Sequence, residues 1–98
     1  MNISIKSIHF NADVKLEKLI ESKINKLTQF HDSIIAANVY LRLENTQDLD
    51  NKITEIKLDI PGTELFAKKQ SSTFEKATDE TIEALRKQLK KFKDKQRA

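Results

Sequence analysis

Residues 52–69 read KITEIKLDIPGTELFAKK. Ile56, Leu58 and Ile60 alternate with Glu55, Lys57 and Asp59, the period of two that a strand shows when one face meets a core and the other meets water. Pro61 and Gly62 follow at once. Proline presets φ at the second position of a tight turn, and glycine supplies the positive φ needed next. Leu65 and Ala67 then resume the inward positions over residues 63–69. Two alternating strands joined by two turn residues make an antiparallel hairpin.

Upstream, residues 34–44 alternate in the same way. Ile35, Ala37, Val39, Leu41 and Leu43 point to one side, and Asn38, Tyr40, Arg42 and Glu44 to the other. The polar stretch 45–51 links this strand to the hairpin. Residues 2–8, where Ile3 and Ile5 alternate with Ser4 and Lys6, predict a first strand. Between the first two strands the period changes. Leu16, Leu19, Ile20, Ile24 and Leu27 give a helical stripe over residues 14–29, with Asp13 placed to cap it. Glu17 and Glu21 lie on one flank of that helix. Lys15 and Lys26 lie on the other, with Lys23 at its border with the core.

Downstream, Ser72-Thr73-Phe74-Glu75 has the pattern of a capping box. A second helix then runs to about residue 94 on Phe74, Thr78, Ile82, Leu85, Leu89 and Phe92. The order is βαβββα. A strand–helix–strand opening predicts parallel pairing of the first two strands, and the short later connections predict antiparallel pairing. The fold class is therefore α+β, a two-layer sandwich with two helices on one face of a four-stranded mixed sheet and the other face in water. The core is expected to hold Leu16, Ile20, Ile24, Ile35, Val39, Leu41, Leu58, Ile82, Leu85 and Leu89. Phe10, Tyr40 and Phe66 are the aromatic residues expected at the surface.

The second helix ends in an unusual charge pattern. Of the 18 Lys and Arg residues of the 98-residue chain, seven lie in residues 84–98 beside a single acid, a local +6. Residues 1–83 carry eleven bases and fourteen acids, −3. Arg86, Lys90, Lys93 and Arg97 fall on one line of the helix at about 100° per residue. Lys87, Lys91 and Lys95 cover the rest of its exposed side. Cations near a helix C-terminus complement the macrodipole, but one or two suffice for that. Here like charges are neighbours at i+3 and i+4, each pair costing a few tenths of a kcal/mol. The excess points to an external polyanion rather than a solvated face. Nucleic acid fits best, because a membrane-surface helix needs a broad apolar face and this stripe is narrow enough for a sheet to cover.

Other chemistry is thinly represented. Ninety-eight residues predict one domain, and there is no cysteine for disulfide or thiolate chemistry. The N-terminus MNISIKSIHF does not read as a signal peptide, and no stretch approaches a membrane span, so a soluble intracellular protein is expected. His9 and His31 lie far apart with no metal-ligand cluster around them. No nucleophile elbow, glycine-rich phosphate loop or calcium loop is present. The expectation is a protein with no catalytic residues, cofactor, metal or small-molecule substrate.

The element order and the run Gln88-Leu89-Lys90-Lys91-Phe92-Lys93-Asp94-Lys95 resemble the ribosome hibernation promoting factors, also called ribosome-associated inhibitor A or the S30EA ribosomal family. The resemblance spans the chain. Lys23, Lys26, Leu27 and Phe30 match the Lys-x-x-Lys-Leu and aromatic pattern ending the family's first helix. Asp32 and Ile34 match the link into the second strand, and Ala77, Asp79, Ile82 and Leu85 the middle of the second helix. Two positions depart from the pattern. Thr73-Phe74-Glu75 stand where Asp-Met-Tyr is common, and Lys69 where Ala is common.

The resemblance implies one hibernation-promoting-factor-like domain over residues 1–98, with its basic helix end at 85–98. It implies a cytoplasmic translation inhibitor that binds the small ribosomal subunit and its ribosomal RNA in the mRNA and tRNA channel. Such proteins act in stationary phase and stress, and protect idle ribosomes. Carried over by position, RNA contact falls to Lys23 and Lys26 on the first helix. On the second it falls to Arg86, Lys87, Lys90, Lys91, Lys93 and Lys95, residues that spacing and charge select independently. The chain resembles the short class lacking a dimerising extension, so a monomer off the ribosome is expected. Two other readings fit the basic helix: a different structured-RNA module, or a protein-interaction domain docking on an acidic partner. A double-stranded RNA-binding domain opens on a helix, unlike residues 2–8 here. Phosphate contact dominates all RNA readings, since nothing in the sequence points to base-edge recognition.

Overall fold

Lys52–Ile60 (β3) and Thr63–Ser71 (β4) pair antiparallel, Ile60 opposite Thr63, with Pro61 and Gly62 alone in the turn. Gly62 has φ +84°, where an added Cβ would meet no atom but the backbone itself disfavours an L side chain. Two further strands, Asn2–Ile8 (β1) and Ala36–Leu43 (β2), and two helices, Val14–Phe30 (α1) and Phe74–Gln96 (α2), complete the order β1 α1 β2 β3 β4 α2. The computed structural model describes all residues except 1, 9, 45, 46, 48, 97 and 98, and residue 96 by its backbone. His9, Arg97 and part of the polar turn 45–51 thus lie outside the described residues.

The sheet order is β1-β2-β3-β4. β1 runs parallel to β2, with Ile3 opposite Ala37 and Ile5 opposite Val39, and the other two pairings are antiparallel. This is the predicted βαβββα sandwich. Asp13 caps α1 as its sequence position predicts, its Oδ1 accepting from the Leu16 amide at 2.8 Å. At α2 the capping box is not realised. The helix starts one residue later than that pattern requires, and Thr73 Oγ1 takes the Lys76 amide at 3.1 Å.

The core fills one side of the sheet. Leu16, Ile20, Ile24 and Leu27 of α1 and Leu85 and Leu89 of α2 pack on Ala37, Val39, Leu41, Ile56, Leu58, Ile60 and Ala67. Where α2 approaches β3, the buried side chains are small. Ala77, Thr78 and Thr81 face Thr54, all fully buried. Their hydroxyls are satisfied within the core: Thr54 Oγ1 lies 3.2 Å from Thr78 Oγ1, and Thr81 Oγ1 lies 2.7 Å from the Ala77 carbonyl and 3.2 Å from that of Thr54.

Four side chains depart from the expected positions. Ile35 is 56% exposed and Ile34 is buried in its place. The strand begins at Ala36, so the alternation does not extend back to Ile35, whose amide donates to the Asp59 carbonyl at 2.7 Å. Leu43, at the end of β2, is 46% exposed. Ile82 is only half-buried, because the Thr78, Thr81 and Leu85 side of α2 takes the sheet contact. Phe10, expected at the surface, stacks on Phe74 with centroids 4.9 Å apart. The outer sheet face is mainly polar, with Ile53 buried on it between Arg42 and Gln70 and Phe66 exposed on β4. Lys6, Tyr40, Glu55 and Lys68 form one cross-strand row, in which Glu55 pairs with Arg42 and reaches Lys68 at 3.9 Å.

Candidate functional site

The helices lie side by side on the sheet, and the C-terminal half of α1 faces the middle of α2 across a groove. α1 ends where His31 closes it. The His31 amide donates to the Leu27 carbonyl at 2.8 Å, and its buried ring meets Ser33 Oγ through Nδ1 at 2.8 Å. One lone histidine thus has a structural task. Because α1 stops there, the Phe30 carbonyl has no intrahelical donor of its own. Lys93 Nζ donates to it at 3.2 Å, and the same ammonium stands 5.3 Å from the centroid of the Phe30 ring. Arg86 presents its guanidinium to that ring at 5.9 Å. Phe30 is therefore an apolar centre flanked by two cations.

The groove has two adjoining cavities that share Phe30, Glu83 and Arg86. One, of about 640 Å³, is lined by Lys23, Lys26, Leu27, Gln29, Phe30, Asp79, Ile82, Glu83 and Arg86. The other, of about 470 Å³, is lined by Phe30, Glu83, Arg86, Lys87, Lys90, Lys93 and Asp94. Six of the eight predicted cations, Lys23, Lys26, Arg86, Lys87, Lys90 and Lys93, are thereby brought to one surface from two helices. Lys91 and Lys95 are exposed on α2 but line neither cavity.

Three of these cations have partners within the protein. Lys93 is half-buried, whereas spacing alone turns it to solvent; it bridges the helices. Lys23 is ion-paired with Asp79. Arg86 lies 3.8 Å from Glu83, one turn away on its own helix. Lys26, Lys87 and Lys90 are exposed. Among the described residues no group of three or more metal-ligating side chains converges, and no helix is long and apolar enough to cross a membrane.

The sequence shows an acidic first half of the second helix, with Asp79 and Glu83, and an aromatic Phe30 ending the first, but charge counting assigns none of the three to the site. Asp79, Glu83, Arg86, Lys90 and Lys93 recur at i, i+4, i+7, i+11 and i+14, one continuous helical line. The signal was available. Extending the basic line toward the N-terminus finds the acids, and extending Lys23 and Lys26 by one turn finds Phe30.

A βαβββα sandwich with a cationic groove between its two helices defines a narrow class of small α+β domains. The chain belongs to the Sigma 54 modulation protein / S30EA ribosomal protein family, whose model matches residues 3–97. It is 28% identical over 98 residues to a ribosome hibernation promoting factor of Pseudomonas putida, covering 100% of this chain and 92% of that protein. Its fold is that of a ribosomal subunit interface protein from Coxiella burnetii, with a TM-score of 0.85 at 22% identity over 96% of this chain and 99% of the other. It is also that of the N-terminal domain of Protein Y from Thermus thermophilus, with a TM-score of 0.81 at 24% identity over 94% and 99% of the two chains.

Proposed function

We propose that this chain is a ribosome hibernation factor that binds small-subunit ribosomal RNA through the groove between α1 and α2. The RNA path runs over Lys26, Lys87 and Lys90, with Lys23, Arg86 and Lys93 beneath it and Lys91 and Lys95 extending it along α2. Bound there, the protein occupies the mRNA and tRNA channel, blocks translation and holds idle ribosomes in reserve in stationary phase and under stress. It acts as one cytoplasmic domain over residues 1–98, as a monomer off the ribosome and without catalysis.

One observation carries this reading. Cations from two helices, separated in sequence by some sixty residues, line a single groove in a chain of this family. A solvated helix face has no reason to be matched by a second helix. Phosphates supply most of the affinity in such an interface, and the contact positions the protein without reading sequence.

Co-sedimentation with purified small ribosomal subunits at two salt concentrations tests it. With about five phosphates contacted, log affinity should fall against log salt with a slope near −4. A complex that survives ribonuclease would favour an acidic protein partner instead, and one with no salt dependence would contradict both readings, since each rests on charge.

A further inference from the structure

The groove is not cationic throughout. Asp79 and Glu83 stand in its larger cavity beside the cations, and Asp94 in the smaller one, which neither Leu27 nor Ile82 lines. A tract that only holds phosphates gains nothing from carboxylates, which repel them. Asp79 is engaged by Lys23. Glu83 is less committed. Its nearest cation, Arg86, is 3.8 Å away, its side chain is 57% exposed, and it lines both cavities. Beside it, Leu27, Phe30 and Ile82 give the larger cavity an apolar wall.

In the larger cavity, an apolar wall, one carboxylate not taken up by a close ion pair and flanking cations suit a flat heterocycle that carries N–H donors and a phosphate. An unpaired base of RNA is such a group, and where RNA sequence is read, it is read chiefly through bases that are out of the stack. Guanine alone among the four bases sets two donors, N1–H and the N2 amino group, side by side to meet both oxygens of a carboxylate. Adenine and cytosine each place an acceptor beside the amino group, and uracil flanks its one donor with carbonyls. The larger cavity, of about 640 Å³, has room for one nucleotide.

We propose that the groove takes a single unpaired guanine of the bound RNA, with its N1–H and N2 amino group donating to the Glu83 carboxylate. The base lies against Ile82 and Phe30, and its phosphate meets Arg86 and Lys90. This rests on the RNA-binding reading above and adds to it a base-specific contact, with Glu83 as the residue that sets it.

The test uses five RNA hairpins with one common stem: four carry a single bulged G, A, C or U, and one is fully paired. Binding is read by fluorescence anisotropy for the wild type, Glu83→Gln and Lys90→Glu. The wild type should prefer the G bulge by about tenfold, and Glu83→Gln should reduce that preference to about twofold or less, within the range of a bidentate base contact. Lys90→Glu should weaken all five alike and leave the preference in place. The amide also releases Arg86, so absolute affinities of Glu83→Gln can rise; the ratio between bulges is the decisive quantity. Equal, salt-dependent binding of all five by the wild type would overturn the guanine site and leave RNA binding standing, as would a G preference that Glu83→Gln retains. If no hairpin binds at low salt, and Lys90→Glu co-sediments with small subunits as well as the wild type does, both readings fall.

Discussion

Lys93 Nζ donates to the Phe30 carbonyl at 3.2 Å, so the basic end of α2 is tied to the end of α1 by one of its own cations. The half-buried ammonium supplies a donor to a carbonyl at a helix C-terminus, where the macrodipole also favours a positive charge. A residue that reads as part of an exposed stripe is thus a strut holding the groove's two walls together.

Lys93→Ala should therefore destabilise the fold, by about 1–2 kcal/mol, the scale of a hydrogen bond to a charged group. Lys90→Ala, one turn back and exposed, should stay within about 0.5 kcal/mol of the wild type. Urea denaturation of the two variants separates them. Equal midpoints would mean that the Lys93 hydrogen bond contributes nothing to stability.

The small-residue seam between α2 and β3 makes a second prediction. Thr54 and Thr78 hydroxyls are each other's partners at 3.2 Å in a fully buried setting. Thr78→Val leaves the Thr54 hydroxyl without that partner, at a cost of about 1–3 kcal/mol. The double substitution Thr54→Val with Thr78→Val removes both polar groups in one shape and should recover most of the loss. A double-mutant cycle in thermal melts checks it, since strictly additive losses would contradict pairing. For scale, Leu85→Ala at a fully buried site should cost about 2–5 kcal/mol.

The architecture was legible because period and punctuation agree. The strand alternation, the Pro61 and Gly62 turn, the Asp13 cap and the 3.6-residue stripes each point to the same sandwich, and consistency across levels is what makes a sequence specify one fold. What the sequence hides is where alternation stops and which way a helix is rolled. Ile34 and Ile35 are equally apolar, and only the start of β2 at Ala36 decides that the first is buried. Ile82 fits the helical stripe as well as Thr81 does. The roll that buries Thr81 follows from the close approach to Thr54, which no one-dimensional pattern contains. The site was legible as a list of cations. Its walls were not, because the Lys93 tie to Phe30 joins residues 63 positions apart.

The pairing of Lys23 with Asp79 bears on affinity. An intramolecular carboxylate competes with phosphate for the same ammonium. Asp79→Asn removes the competitor, and binding to small subunits should tighten by roughly twofold to fivefold, the scale of one screened charge at close range. Stability should fall by no more than about 1 kcal/mol, because the pair is partly exposed to water. Unchanged or weaker binding by a folded Asp79→Asn protein would place Lys23 outside the RNA path.

The proposed function itself is best tested by reversing charge where no structural task intervenes. Lys93 is unsuitable, since its removal disturbs the helix pair. Lys26 and Lys90 are exposed, lie on different helices and border different cavities of the groove. The double variant Lys26→Glu with Lys90→Glu should melt like the wild type, as surface changes of this kind do. Its binding to purified small subunits should weaken by at least about tenfold, and the salt slope should flatten by roughly two, one for each phosphate no longer held. Each single variant should account for about half of the change in slope, because the two sites act on separate phosphates. In cell-free translation the wild type should inhibit, and should inhibit less once mRNA and initiator tRNA occupy the subunit. The double variant should inhibit weakly in either order of addition. A folded double variant that inhibits as the wild type does would move the RNA interface away from the groove, with Lys91 and Lys95, exposed on α2 outside it, as the next cations to reverse.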